Sequence, residues 1–479
     1  MKPIRSILLL IPLLTVLSCG YVEETGLRSG SVGIVNPRIE SASPADGTKV
    51  DTLGTITITY SEEVTGADEI TNYTLSGSGV GSLSLDSVTE TGTYTYTLTV
   101  SGSPGDGNIT LTVSNITDVT GNPMNANTVS YTGWWDTDWQ YRRTLTFDNS
   151  GQPDLTDFAV LVRLNGSRVD YSATQTQGQD IRFLIPSGTV LDHEIERWNE
   201  SGESLIWVRV PLINGGSSGD YIRMYYGNSG APDGQNPENV WDDNFMAVLH
   251  MNQEPDGSTG DITDSARNLV TVPVSNYGHG TSSGMSSVDR VSGAIGYALN
   301  FDGNDDWIDP ADNDNGFFHD ALFTITFETW VRCADSSTQT LYDEGGSTNG
   351  FYMGIQSQQI RVVTRDSSNE QEINYTYPDN GAYYYAAGTY DNGTLALYVN
   401  GNLINSIATG YAGGEISTHS GMPGFGSSPD SNADGGGSGE HLNGIMDEIR
   451  LSDIPRSSDW IMAQYLSMND SFITFGTEE

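Results

Sequence analysis

Apolar residues along this chain alternate with polar ones in short runs, and few windows carry the 3.6-residue rhythm of a helix. In the runs at 55–60, 94–100 and 108–113, residues such as Ile56, Ile58 and Leu98 are interleaved with threonines. Further runs lie at 143–147, 158–164, 190–198, 204–211 and 221–226, then at 298–302, 323–333, 395–400 and 442–451. Gly, Asn, Asp or Pro bounds them, which is the turn chemistry of antiparallel sheets. Helix is expected near 457–466, where Ser457, Ser458 or Asp459 caps a turn carrying Trp460, Ile461 and Tyr465. The N-terminus departs from this pattern. Lys2 and Arg5 precede an apolar run at 7–17, and Ser18 then leads into Cys19. That run is shorter than the ~20 residues a spanning helix needs, and its layout is that of a secretory signal.

The small Ser18 before Cys19 makes this signal resemble that of a bacterial lipoprotein. The resemblance implies cleavage before Cys19 and a diacylglyceryl group on its sulfur. The expected partner is then a membrane, reached through the N-terminal lipid. The expected place is the cell envelope, at the outer membrane or cell surface. One acyl chain binds only marginally, at ~0.8 kcal/mol per buried CH₂, so stable anchoring takes two or more. Residues 1–19 are read as signal and lipidated cysteine, and the polar, Gly-rich 20–36 as a flexible spacer.

Three modules follow. Residues 37–132 open on Ser41, Ala42, Ser43, Pro44, Ala45, Asp46 and Gly47 and close on Thr120, Gly121, Asn122 and Pro123. With the strand at 55–60 between them, they resemble bacterial Ig-like domains of surface-layer type. Residues 134–230 begin with Trp139, Tyr141 and Arg142, contain Ile206, Trp207 and Val208, and end in Tyr225, Tyr226, Gly227 and Asn228. They resemble domain of unknown function 2341, whose name brings no activity with it. Residues 245–476 carry His250, Asp264, Ser265, then Phe301, Asp302 and Gly303, and finally Asp447, Glu448, Ile449 and Arg450. They resemble the laminin-G-like jelly roll of the concanavalin A-like lectin and glucanase superfamily. The expected fold class is therefore all-β: an Ig-like sandwich, a second β-sandwich and a C-terminal jelly roll.

Composition narrows the function. Among 479 residues the formal net charge is −42, and the only lysines are Lys2 and Lys49. Nucleic acid is excluded as a partner, because its binding depends on cationic side chains neutralising phosphates. Phosphate-cradling loops and Schiff bases need a lysine that only Lys49 could supply after the signal. No organic cofactor motif is present. Besides Cys19 the only cysteine is Cys333, in an apolar stretch where a buried hydrophobe is expected.

Four sets of residues carry candidate chemistry. Asp430, Asn432, Asp434 and Gly435 fit the first half of a calcium loop, with Glu440 standing one place before the position of its bidentate glutamate. Calcium is the one cofactor expected. A second acidic cluster, from Asp302 to Asp306, lacks that spacing and reads as turn chemistry. Asp192, Glu194 and Glu196 share one strand face at ~6.6 Å steps, so Glu194 and Glu196 are the candidate pair for glycoside hydrolysis. Arg182 and Arg197 are expected to pair with them if the face is merely solvated. Trp307 beside Asn304 and Asp305, Tyr342 beside Asp343 and Glu344, and Tyr383 to Tyr385 are candidates for stacking on sugar rings, while Trp330 and Tyr398 read as core. The resulting reading is an envelope-anchored protein that binds a glycan through its jelly roll. A polysaccharide hydrolase and a purely structural or adhesive protein are the alternatives.

Overall fold

The computed structural model describes residues 36–125, 127–266, 279–310, 321–334, 336–378, 381–428 and 439–479. The first module is a sandwich of two four-stranded sheets. In its strand Thr55–Tyr60 the odd positions are threonines on the outer face, while Ile56, Ile58 and Tyr60 enter the core. The outer face is knitted by Thr57 to Thr97 (3.0 Å) and Thr59 to Thr95 (3.2 Å) hydroxyl contacts.

The other two modules form four stacked sheets. A five-stranded sheet built around Tyr141–Phe147 and Tyr221–Tyr226 packs on a three-stranded sheet of Leu155–Leu164, Ser204–Ile213 and His193–Arg197. The reverse face of that three-stranded sheet covers an eight-stranded sheet, whose central strands are Asn443–Ser452 and Thr324–Cys333. A seven-stranded sheet centred on Gln339–Gly345 closes the stack. Apolar residues fill each gap: Phe158, Val160 and Val162 in the first, Ala159, Leu161, Leu205 and Trp207 in the second, Phe327, Tyr342 and Leu397 in the third. The strand Leu155–Leu164 is apolar on both faces because both are covered.

The helix Ser458–Met468 starts where Ser457 accepts a hydrogen bond from the Trp460 amide, as the cap pattern predicts. Its residues enter two gaps, Ala463 joining the middle module and Ile461 and Met468 the seam with the jelly roll. The last strand, Ile473–Glu478, pairs antiparallel with Tyr141–Phe147, so the expected jelly-roll boundary at 476 is corrected: the tail completes the middle module. Trp330 and Tyr398 are buried as expected, but in the seam rather than between the jelly-roll sheets. Cys333 is only half-buried, at the end of its strand. Among the described residues no helix is long and apolar enough to cross a membrane.

Candidate functional site

Two carboxylate clusters stand out, one on a corner of the jelly roll and one in the seam. The corner joins Tyr297–Asp302 in one sheet to Trp307–Pro310 in the other. Gly303, at φ +81°, makes the turn that a side chain would strain. Asp302 accepts from the Asn304 side chain (2.8 Å) and then from the Asn304 backbone amide (2.8 Å), which hold its carboxyl below the ordinary range. Asp306 folds back to accept from the Asp302 amide (2.8 Å), and burial with nearby Asp302 pushes its pKa up to about 6. Asp302, Asp305 and Asp306 each offer one oxygen within 4.8 Å of the others. Asn304 and Asp305 are exposed and Trp307 is half-buried beside them. The His441 ring lies 3.4 Å from the Asp306 carbonyl oxygen, so the chain after residue 439 returns to this corner.

The second cluster begins at the strand His193–Arg197. Its register against Ser204–Ile213 slips between Ile195 and Arg197, leaving Glu196 as the extra residue of a bulge. Glu194 and Glu196 face the seam, not solvent. Across it, a second bulge in Asn443–Ser452 sets Glu448 at φ +53°, so that consecutive Asp447 and Glu448 both leave the jelly-roll core. His250, just beyond the strand Phe245–Leu249, lies between them. Its Nδ1 is 2.8 Å from Glu448 and 3.8 Å from Glu196, and its Nε2 is 3.5 Å from Glu194. Trp207 donates to Glu196 (2.9 Å), Trp241 to Glu194 (3.1 Å), and Arg450 to Glu448 (2.7 Å).

Burial and neighbours split these acids. Burial and then Glu448 push Glu196 up to about 8, and burial, helped by Glu194, carries Asp264 to about 8 against the amides of Val248 and Ala266. Burial is also the largest influence on Glu194 and Glu448, but His250 together with Ser265 and Trp241 at Glu194, and with Arg450 at Glu448, holds both below the ordinary range. Burial would discharge His250, yet Glu448 and Glu194 keep it charged well above its usual range.

Several sequence expectations move. Glu194 and Glu196 are enclosed by protein, with side chains 12% and 0% exposed, which leaves no room for a sugar between them. Arg182 instead bonds carbonyls of Gln179, Ile181 and Pro232, and Arg197 lies over the Tyr297 ring. Tyr342 is corrected from ligand platform to core: it is fully buried and stacked on Phe327 at 4.8 Å. Tyr384 and Tyr385 are buried too. Glu440 is half-buried, and its carbonyl accepts from the Thr340 amide. Cys19, Asp430, Asn432 and Asp434 lie outside the described residues. Sequence reading missed His250, Glu448 and Arg450 as a unit. The available signal was a run of charged residues, 447, 448 and 450, inside an otherwise apolar strand.

Residues 302–462 match the family model of the concanavalin A-like lectin/glucanases superfamily, and residues 177–253 that of a domain of unknown function, DUF2341. The C-terminal domain is thus concanavalin A-like. No curated protein matches the chain. Among solved structures, it is similar to the binding domain of Botulinum neurotoxin DC in complex with rat synaptotagmin II: 16% identity, 47% of this chain, 52% of that one, TM-score 0.33. It is also similar to the native heptameric SAP-like pentraxin from Limulus polyphemus, at 16% identity over 34% and 79% of the two chains, TM-score 0.27. Domain 4 of AbnA, an extracellular arabinanase from Geobacillus stearothermophilus in complex with arabinotriose, shares 16% identity over 46% and 96%, TM-score 0.32. The match spans about half the length of the neurotoxin chain.

Proposed function

We propose that this chain is an exported envelope protein, tethered through a lipid on Cys19, that binds a surface glycan with the calcium-assisted corner of its jelly roll. The observation that carries the reading is the convergence of Asp302, Asp305 and Asp306 within 4.8 Å beside a half-buried Trp307. Calcium takes six to eight oxygens, and three carboxylates with turn carbonyls and water make a fitting donor set. An aromatic face next to carboxylate and amide groups suits a sugar, whose C–H face stacks while its hydroxyls need paired donors and acceptors. The acid-rich surface repels anionic membranes, so the acyl anchor does the holding.

A glycan array probed with the full mature chain, with and without calcium, tests this. The last strand belongs to the middle module, so the jelly roll is not to be excised. Calcium-dependent binding lost in Asp305→Asn supports the reading, and silence on every glycan turns it toward a structural or adhesive role. Labelling with a palmitate analogue, lost in Cys19→Ala, tests the tether.

A further inference from the structure

At the seam, five acids (Glu194, Glu196, Asp264, Asp447 and Glu448) crowd around two bases, His250 and Arg450. The most exposed of these side chains that face His250, that of Glu194, is only 12% exposed. Glu196 uses one oxygen to accept from Trp207, while its Oε1 is buried with no hydrogen-bond partner. Buried polar atoms without partners are uncommon and call for an explanation, an ion among them. The backbone is unusual at the same points. Glu196 is a bulge residue, Glu448 has φ +53°, and Met251, next to His250, has φ +58°. Bulges and left-handed non-glycine residues concentrate where a side chain has to be aimed.

We propose that Glu196, His250 and Glu448 bind a first-row divalent cation of the zinc class, which pins the middle module to the jelly roll. Each residue offers one ligand atom, and the three lie within 4.8 Å of one another. Bonds of ~2.0–2.1 Å in a tetrahedral site set ligand edges of ~3.4 Å, a gap that small side-chain rotations close. The ion takes His250 Nδ1, the nitrogen now 2.8 Å from Glu448, and the proton there is released. The other nitrogen, Nε2, then presents its N–H to Glu194 at 3.5 Å. That is the carboxylate–histidine–metal relay by which proteins orient a ligating imidazole. One nitrogen with carboxylates selects zinc or manganese over calcium, which wants oxygens only and more of them. Glu196 comes from the middle module, while His250 and Glu448 come from neighbouring strands of the jelly roll's eight-stranded sheet, so the ion holds together parts that the chain connects only distantly.

The test is metal content by mass spectrometry on the full mature chain, equilibrated with zinc or manganese and desalted. About one tightly held ion per chain is expected, and chelation should lower the melting temperature. Glu196→Gln preserves the acceptor for Trp207 and should lose the ion while keeping a native far-UV spectrum. Glu194→Gln should weaken binding ~10–100-fold, as removal of an orienting partner does. Cobalt loading gives a second readout: an intense visible band absent from Glu196→Gln. A folded wild-type chain that takes up no stoichiometric zinc or manganese overturns the proposal. So does an ion retained in Glu196→Gln but lost in Asp305→Asn.

Discussion

The corner at 302–307 and the seam around His250 each bring three metal-ligating side chains within 4.8 Å, yet they stand under opposite constraints. At the corner two of the three acids are exposed, water shares their charge, and a backbone amide or an asparagine serves Asp302 and Asp306. In the seam the acids are enclosed, so each charge must be matched by another or neutralised by a proton or an ion. The same residue types are therefore a surface feature in one place and a structural commitment in the other. The seam should dominate stability, and the corner should dominate what the protein touches.

The sharpest way to break this contrast is to neutralise one charge in each region. Arg450 is 1% exposed, donates to Glu448 and Gln464, and lies 4.4 Å over Trp207. Arg450→Met leaves Glu448 short of a buried partner, and a loss of ~3–5 kcal/mol is expected. Asp305→Asn at the corner should shift stability by no more than ~0.5 kcal/mol. Urea unfolding followed by tryptophan fluorescence compares the two directly. Equal effects would mean that the seam is not the more tightly constrained region.

A second prediction uses pH on chelated protein. Burial lifts Asp264 from 3.8 to about 8, so the folded chain keeps a proton that the unfolded chain gives up. Between those values the folded state binds more protons, and stability falls as pH rises toward 8. Asp264→Asn keeps the acceptor for the Val248 and Ala266 amides and cannot titrate. Its melting temperature should therefore fall less than that of the wild type between pH 5 and pH 9. A wild-type profile no steeper than the variant's would remove Asp264 from the account.

How far these regions were legible in the sequence follows from the range of the interactions. Period-two alternation marks a strand wherever one face is wet, which is why Thr55–Tyr60 was readable. The helix was readable from Ser457, since a cap acts within one turn. The pairing of Ile473–Glu478 with Tyr141–Phe147 leaves no local trace, because the contact joins segments over three hundred residues apart. Tyr342 misled for a related reason. Asp343 and Glu344 look like a turn, but the whole strand Gln339–Gly345 is buried and the Tyr342 hydroxyl donates to Glu344. The seam was half visible: Glu194 and Glu196 stood out as spaced acids on one face. Their partner His250 meets Glu448 across 198 residues through the pairing of Phe245–Leu249 with Asn443–Ser452, and only the stacking of the two modules brings that pair to Glu194 and Glu196.

At the corner the expected effects are smaller and depend on ligand. With Kd at ~0.1 mM, 1 mM calcium stabilises the folded chain by ~1.4 kcal/mol, a rise of ~3–6 °C in melting temperature. Asp306→Asn should abolish the rise without destabilising the metal-free chain by a comparable amount. Because Asp306 holds its proton up to about pH 6, the rise should also fade below that pH in the wild type. A rise that survives Asp306→Asn would place the calcium elsewhere.

Trp307 gives the finest discrimination. Were it core, Trp307→Ala would lower stability and ligand binding together, as Tyr342→Ala should. As a platform at the edge, part of its surface is open and its loss should fall mainly on binding. Stacking worth ~1 kcal/mol corresponds to about five-fold in affinity. Trp307→Phe should recover most of that, since a smaller ring still offers a face. Titration of an array-positive glycan against wild type, Trp307→Ala and Trp307→Phe reads it out, with thermal melts run alongside. If the alanine variant melts several degrees lower while binding as tightly per folded molecule, Trp307 belongs with the core residues, and the corner keeps calcium as its only expected ligand.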